Sequence, residues 1–351
     1  MLKLETARVA AVLAAQSPED LYEHLQGAIQ LEHSTIPVYL CAYFSIKRGY
    51  MPEIRQTLES IFREEMLHMG IVCNVLNAIG GKPQIDHAEF VPHYPGPLPM
   101  NINSSLTVHL GPLSLERVRN EFMEIEEPET RLDFPVHALT AAVGAPAFAT
   151  IGQFYVALME RIKAFGDEIF TGDPGRQVVN EQWFDADQLF AIRDVETATR
   201  ALEIITQQGE GTRTSPLDLE GGLAHFYQFQ EIFKGKRLVR NSSVPQGFSF
   251  DPTKPVPFDP AGIWDMQMDP KAAQYRPGSR ARLLADEFNW TYTRLLKALG
   301  QTFDQTPEAL NAAMGLMFEL KLAADALIEV VDEDTGKHAT PSFEYVAAPP
   351  A

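Results

Sequence analysis

The sequence predicts an all-α protein: a four-helix bundle with a long proline-rich loop and additional helices at its C-terminal end. Three observations carry this reading. Apolar residues recur every three or four positions through several long segments. Of the 351 residues, 45% are apolar and 22% charged, which suffices for a large core. Two of the helical stripes also hold acids and a histidine where apolar residues are due.

The clearest stripe is Ile54, Leu58, Ile61, Val72, Val75 and Ile79, which Glu65 and His68 continue, while Arg55, Glu59 and Arg63 fall on other faces. In the preceding helix Leu21, Leu25, Ala28, Thr35 and Tyr39 form the stripe, and Glu32 lies within it. A buried carboxylate is too costly to stay charged alone, so it is paired, protonated or bound to metal. The E-x-x-H spacing of Glu65 and His68 puts carboxylate and imidazole one turn apart. A facing Glu completes half of a carboxylate-bridged metal site. The competing reading is a buried hydrogen-bonded Glu–His pair. Carboxylates with imidazole suit iron, and also manganese.

Along the chain, residues 1–17 form a short helix, since Glu5 and Arg8 interrupt the apolar run before it reads as a signal peptide. Ser17, Pro18, Glu19 and Asp20 start a helix that runs to about Arg48, with Pro37 inside it. The next helix begins near Pro52 and stops at Gly80 and Gly81. Residues 82–113 hold six prolines and form a long loop, whose Phe90, Val91, Tyr94, Leu98 and Leu106 mark it as an ordered cover over a substrate cavity. After a short helix over 114–125, the acids Glu126, Glu127 and Glu129 read as a solvated face.

A third long helix is expected over 150–170, where Gln153 and Glu160 share a small-residue face with Ala149, Val156 and Ala164. A fourth is expected over 187–208, with Glu196 and Glu203 on one face. Residues 218–233 read as helical, and His225 lies near the stripe of Leu223, Phe226, Phe229 and Phe233. Residues 235–277 are proline-rich and irregular, anchored by Trp264 and Met266. Two helices follow, over 279–299 and 307–331, and 341–346 is expected to add a strand. This divides the chain into an N-terminal helix (1–17), a metal-binding bundle (18–235) and a connector with two C-terminal helices (236–351).

A net charge of −18 opposes binding to nucleic acid or to anionic membrane surfaces. No stretch approaches the roughly eighteen apolar residues of a membrane span. Cys41 and Cys73 lie within predicted helices without C-x-x-C spacing, so buried reduced thiols in a cytoplasmic protein are expected.

Five motifs together resemble a known family: Leu31 to Tyr39 (LEHSTIPVY), Glu64 to Met69 (EEMLHM), Asn77 to Gly81 (NAIGG), Gln208 to Gly211 (QGEG) and His225 to Ile232 (HFYQFQEI). They are similar to the ferritin-like domain of iminophenyl-pyruvate dimer synthases, which work in violacein and rebeccamycin assembly. The resemblance spans roughly residues 18–235, and Pro341 to Tyr345 also looks family-like. It implies a ferritin-like bundle with Glu32, Glu65 and His68 as metal ligands. A second E-x-x-H is absent from the sequence. Glu203 is then the fourth-helix candidate, His225 the substitute imidazole, and Gln153 or Glu160 the third-helix contribution. One or two ions both fit.

The function expected from these residues and this resemblance is a non-haem iron oxidoreductase using dioxygen on a small amino-acid-derived substrate. Tyr39 and Tyr155 would stand beside the metal, and a biosynthetic partner enzyme would supply the substrate. Metal storage, and an interaction protein with a vestigial site, are the alternatives. The protein would act as a monomer or small homo-oligomer. His24, His87, His93, His109, His137 and His338 have no ligand spacing around them.

Overall fold

The computed structural model describes residues 6–101, 106–128, 132, 151–212, 214–218, 220–304 and 306–349. Glu5, Glu129, His137 and Ala149, all weighed above, lie outside the described residues. The chain begins with α1 (Thr6–Ala14) and a single turn at Pro18–Leu21. Asp20 accepts from the backbone N–H groups of Gln16 and Ser17, which fixes the entry into the bundle. The two long helices α2 (Tyr22–Phe44) and α3 (Pro52–Ala78) then pack side by side as the central pair. From Leu31 to Phe44 every residue of α2 is buried, because neighbours cover it on all sides. Helix α3 starts on Pro52 and stops where Gly80 takes a φ of 89° that a side chain would resist.

The proline-rich segment packs as an ordered layer, with Phe90, Tyr94 and Leu98 buried. It lies against α2: the Tyr94 hydroxyl donates to the Ser34 carbonyl at 2.6 Å and Gln30 donates to the carbonyl of Glu89. None of its described residues lines the cavity beside the candidate metal centre, so the expected cover over that cavity is corrected for them. The short helices α4 (Leu115–Arg117) and α5 (Met123–Ile125) flank a π-wound turn, Val118–Phe122, in one continuous rod.

Helices α6 (Ile151–Phe165) and α7 (Val195–Glu210) complete the bundle. Helix α7 begins later than expected because Asp194 caps it, accepting from the Thr197 N–H at 2.8 Å. Helix α8 (His225–Lys234) also starts late: Asp218 folds a turn instead, accepting from the N–H groups of Glu220 and Gly222. Beyond Gly235, the expected irregular connector contains an antiparallel hairpin of β1 (Lys236–Arg240) and β2 (Phe248–Pro255), with Leu238 opposite Phe250.

Helices α9 (Arg280–Asp304) and α10 (Leu310–Ile328) pack together and against the central pair. The tail 341–346 does not form the expected strand. Side chains of α9 satisfy its backbone: Asn289 accepts from Glu344 N–H and Thr293 from Val346 N–H. Among the described residues, no helix is long and apolar enough to cross a membrane. Both cysteines are buried free thiols, and burial pushes Cys41 up to about 12.

One close approach ties the loop after α6 to the end of α3. The Gly172 N–H donates to the Ala78 carbonyl at 2.9 Å, and a Cβ on Gly172 would stand 1.8 Å from the Asn77 carbonyl oxygen. Gly172→Ala is therefore expected to cost about 3 kcal/mol, because backbone rather than a flexible side chain must move. Urea unfolding at unchanged m-value checks this.

Candidate metal centre

Helix α2 carries Glu32 and α3 carries Glu65 and His68, all three side chains buried and converging between the helices. His68 Nδ1 lies 3.5 Å from Glu32 and 3.7 Å from Glu65. On the far side of Glu65 stands His225, the first residue of α8, with Nδ1 3.0 Å from Glu65 and 3.5 Å from Glu126. Among the described residues this gives two groups able to hold an ion: Glu32, Glu65 and His68, and Glu65, Glu126 and His225. Glu65 belongs to both.

The surroundings aim these ligands. Nε2–H of His68 donates to Gln208 Oε1 on α7 at 2.8 Å, and Nε2–H of His225 donates to Glu64 at 2.9 Å. Each imidazole thereby turns its Nδ1 to the carboxylates, as a lone pair when the ring is neutral. Thr35 donates to Glu65 at 2.8 Å, Tyr39 to Glu126 at 2.5 Å, and the Tyr155 hydroxyl to Glu32. Burial pushes both phenols well above their ordinary value, so each keeps its proton and stays a donor.

The electrostatics call for a cation. Burial, helped by the charge of Glu126, pushes Glu65 up to about 7. Burial would push His68 and His225 down, yet their carboxylate neighbours outweigh it and hold both above the ordinary imidazole value. The protein without metal thus keeps protons where positive charge is needed. His225 Nδ1 is the sharper test of fit. It is fully buried, 3.0 Å from a Glu65 oxygen, and aligned for no hydrogen bond. Donor atoms so crowded and unsatisfied fit ligands around an ion, and the oxygen-rich set suits iron or manganese.

Glu203 and Glu160 lie elsewhere. Helix α6 turns Phe154, Tyr155, Leu158 and Ile162 inward, which leaves Glu160 exposed. Helix α7 buries Ala198, Leu202, Ile205 and Gln208, and Glu203 lines a surface hollow with Lys163 and Asp194. Glu196 lines the same hollow. The place expected of them beside His225 is taken by Glu126, whose side chain is 9% exposed. Its signal was present: Glu126 follows Phe122 by four residues, on the buried stripe of Val118, Phe122 and Ile125.

A cavity of about 50 Å³ adjoins the centre. Its walls include Leu31, Ile125, Tyr155, Ile205 and the acids Glu127 and Glu210. Glu210 accepts from the Gly152 N–H at 2.8 Å, and a Cβ on Gly152 would come within 2.7 Å of that carboxylate. Glycine here lets α6 and α7 approach beside the cavity.

With this geometry in place, comparison with known proteins is informative. A family profile described as Ferritin-like matches residues 25–234. The chain is 25% identical to dichlorochromopyrrolate synthase of Lentzea aerocolonigenes over 94% of its own length, but spans only 36% of that relative. A crystal structure of a ferritin-like protein from Caulobacter vibrioides aligns at a TM-score of 0.58 and 24% identity, covering 93% of this chain and 97% of that one. That last likeness concerns the fold alone. The profile takes in every residue of the two ligand groups, and the bundle is the one it describes: the chain belongs to the Ferritin-like family.

Proposed function

We propose that this protein is a metal-dependent oxidoreductase that uses dioxygen on a small amino-acid-derived substrate, with two non-haem iron ions as its cofactor. The observation that carries the reading is the pair of ligand groups sharing Glu65. Glu32 and His68 would hold one ion, Glu126 and His225 the other, and Glu65 both. Bound iron supplies the redox chemistry with dioxygen that these side chains lack. Manganese fits the same donors.

The chain's own groups prepare the site. Tyr155 and Tyr39 fix the outer carboxylates by donating to them, and Gln208 and Glu64 fix the imidazoles. Leu31, Ile125, Ile151 and Ile205 give the adjoining cavity apolar walls, which suits a small aromatic or aliphatic substrate. The similarity to a synthase supports a place in biosynthesis, and a partner enzyme would hand over the substrate.

The test is dioxygen uptake by protein loaded anaerobically with ferrous iron. Phenyl- and indole-bearing imines, generated in place by an amino-acid oxidase, are the candidate substrates. Uptake beyond that of the oxidase alone, present with the wild type and lost in Glu126→Ala, is the expected result. Iron-loaded protein that adds no dioxygen uptake to the oxidase's own with any of these compounds would overturn the proposal.

A further inference from the structure

We propose that the substrate's own carboxylate completes the metal centre, seated in a gap that Gly209 keeps open on the α7 side. The inference rests on the metal reading above and adds to it how the substrate is held. Neither ligand group draws on α7: Glu32 comes from α2, Glu65 and His68 from α3, Glu126 from the end of α5 and His225 from α8. Each ion would have three protein donors, which leaves positions free for a donor from outside.

The residues of α7 account for the gap. The helix packs against α3 and α6, and its Ile205, Thr206, Gly209 and Glu210 line the cavity together with Glu32, Glu65, His68 and Glu126. The Thr206 hydroxyl donates to the Glu203 carbonyl at 3.0 Å, and Glu210 accepts from the Gly152 N–H. At Gly209 no side chain enters. A Cβ there would stand 3.9 Å from a Glu126 oxygen and, beyond its own helix, within 4 Å of no other atom among the described residues. A longer side chain in this place would reach the ligands.

Charge and size select what fills the gap. Two divalent ions bring four positive charges to three carboxylates and two neutral imidazoles. One positive charge is left over in a buried site, which is costly unless an anion joins it. Glu127 and Glu210, the other acids of the wall, act on such an anion only through space, while the ions bond it directly. They tell against a second negative charge on it. At roughly 10–15 Å³ for each water, the cavity of about 50 Å³ takes a group of about three heavy atoms. A carboxylate has that size and that charge. The rest of the substrate then lies toward the mouth, against Leu31, Ile125, Ile151 and Ile205.

The test uses full-length protein loaded with iron and oxidised to the ferric state, with metal counted on every sample. Azide, a three-atom monoanion, reports the open positions by its charge-transfer absorption on ferric iron. Saturable azide binding is expected in the wild type. Phenylacetate should displace it at concentrations at least about tenfold lower than acetate, because its ring adds apolar contact. Gly209→Leu fills the gap and Gly209→Glu supplies a carboxylate from α7, so each should keep about two ions yet bind azide at least about tenfold more weakly. Glu203→Leu, at the surface hollow on the other side of the same helix, should bind azide as the wild type does. Iron-loaded wild type without an azide band, equal displacement by acetate and phenylacetate, or undiminished azide binding in a Gly209 variant that holds its iron would overturn the proposal. So would loss of iron from both Gly209 variants, since the glycine would then serve the ions themselves. A wild type that takes up no iron overturns the metal reading and this inference with it, and the metal count tells that failure from the others.

Discussion

Glu65→Ala is expected to strip the protein of all its bound metal, whereas Glu32→Ala and Glu126→Ala each leave about one ion of about two per chain. The asymmetry follows from position. Glu32 reaches only the first ligand group and Glu126 only the second, while Glu65 belongs to both. Elemental mass spectrometry on identically purified proteins gives the count. Melting adds an independent sign. Metal held at a thousand times its dissociation constant stabilises the fold by about 4 kcal/mol, so wild type should melt well above its metal-free form. Glu65→Gln should lose that increment entirely. Yet metal-free Glu65→Gln should be as stable as metal-free wild type or more so, because an amide replaces a buried carboxyl already pushed up to about 7. Equal metal content in all three alanine variants would show that Glu65 does not bridge.

The long helices of the bundle were legible because their apolar period is uninterrupted over many turns, and α2 and α3 form as expected. Their stripe placed Glu32, Glu65 and His68 on facing sides, and these three do converge. His225 was suggested by its place near an apolar stripe, and α8 does bring it against Glu65. What escaped the sequence was the choice among acids. Glu126 stands among other acids and so reads as solvated, although the buried turn before it carries it inward. Glu160 and Glu203 occupy periodic positions, but periodicity leaves open which of two polar faces a helix turns to its neighbours. The hairpin was hidden for another reason: the alternation of β1 is partial, with Leu238 its one buried residue, and β2 ends in exposed Lys254 and Pro255.

Arg117→Ala is expected to cost about 3–5 kcal/mol and, at temperatures where the variant remains folded, to weaken the ion held by Glu126 and His225 more than its neighbour. Arg117 is 9% exposed and forms a two-pronged pair with Glu121, at 2.8 and 3.0 Å. Its remaining donors reach the carbonyls of His109, Gly111 and Pro112. Glu121 in turn accepts from the His109 N–H at 2.8 Å. One guanidinium therefore fastens the strand-like run 108–112 to the π-wound rod whose next residue after α5 is Glu126. Truncation leaves the buried Glu121 carboxylate with the His109 N–H alone and strips three carbonyls of the guanidinium, and a buried charge without its counter-charge is the costly outcome. Lysine in this place should recover little, since it has no planar fork to pair both oxygens of Glu121. Replacing both partners, as Arg117→Met with Glu121→Leu, removes the stranded charge and should restore most of the stability. If Arg117 acts on the metal centre through the placement of the rod, the second ion should return together with that stability. A double variant that melts like wild type yet still holds about one ion would instead place Arg117 in the electrostatics of the centre.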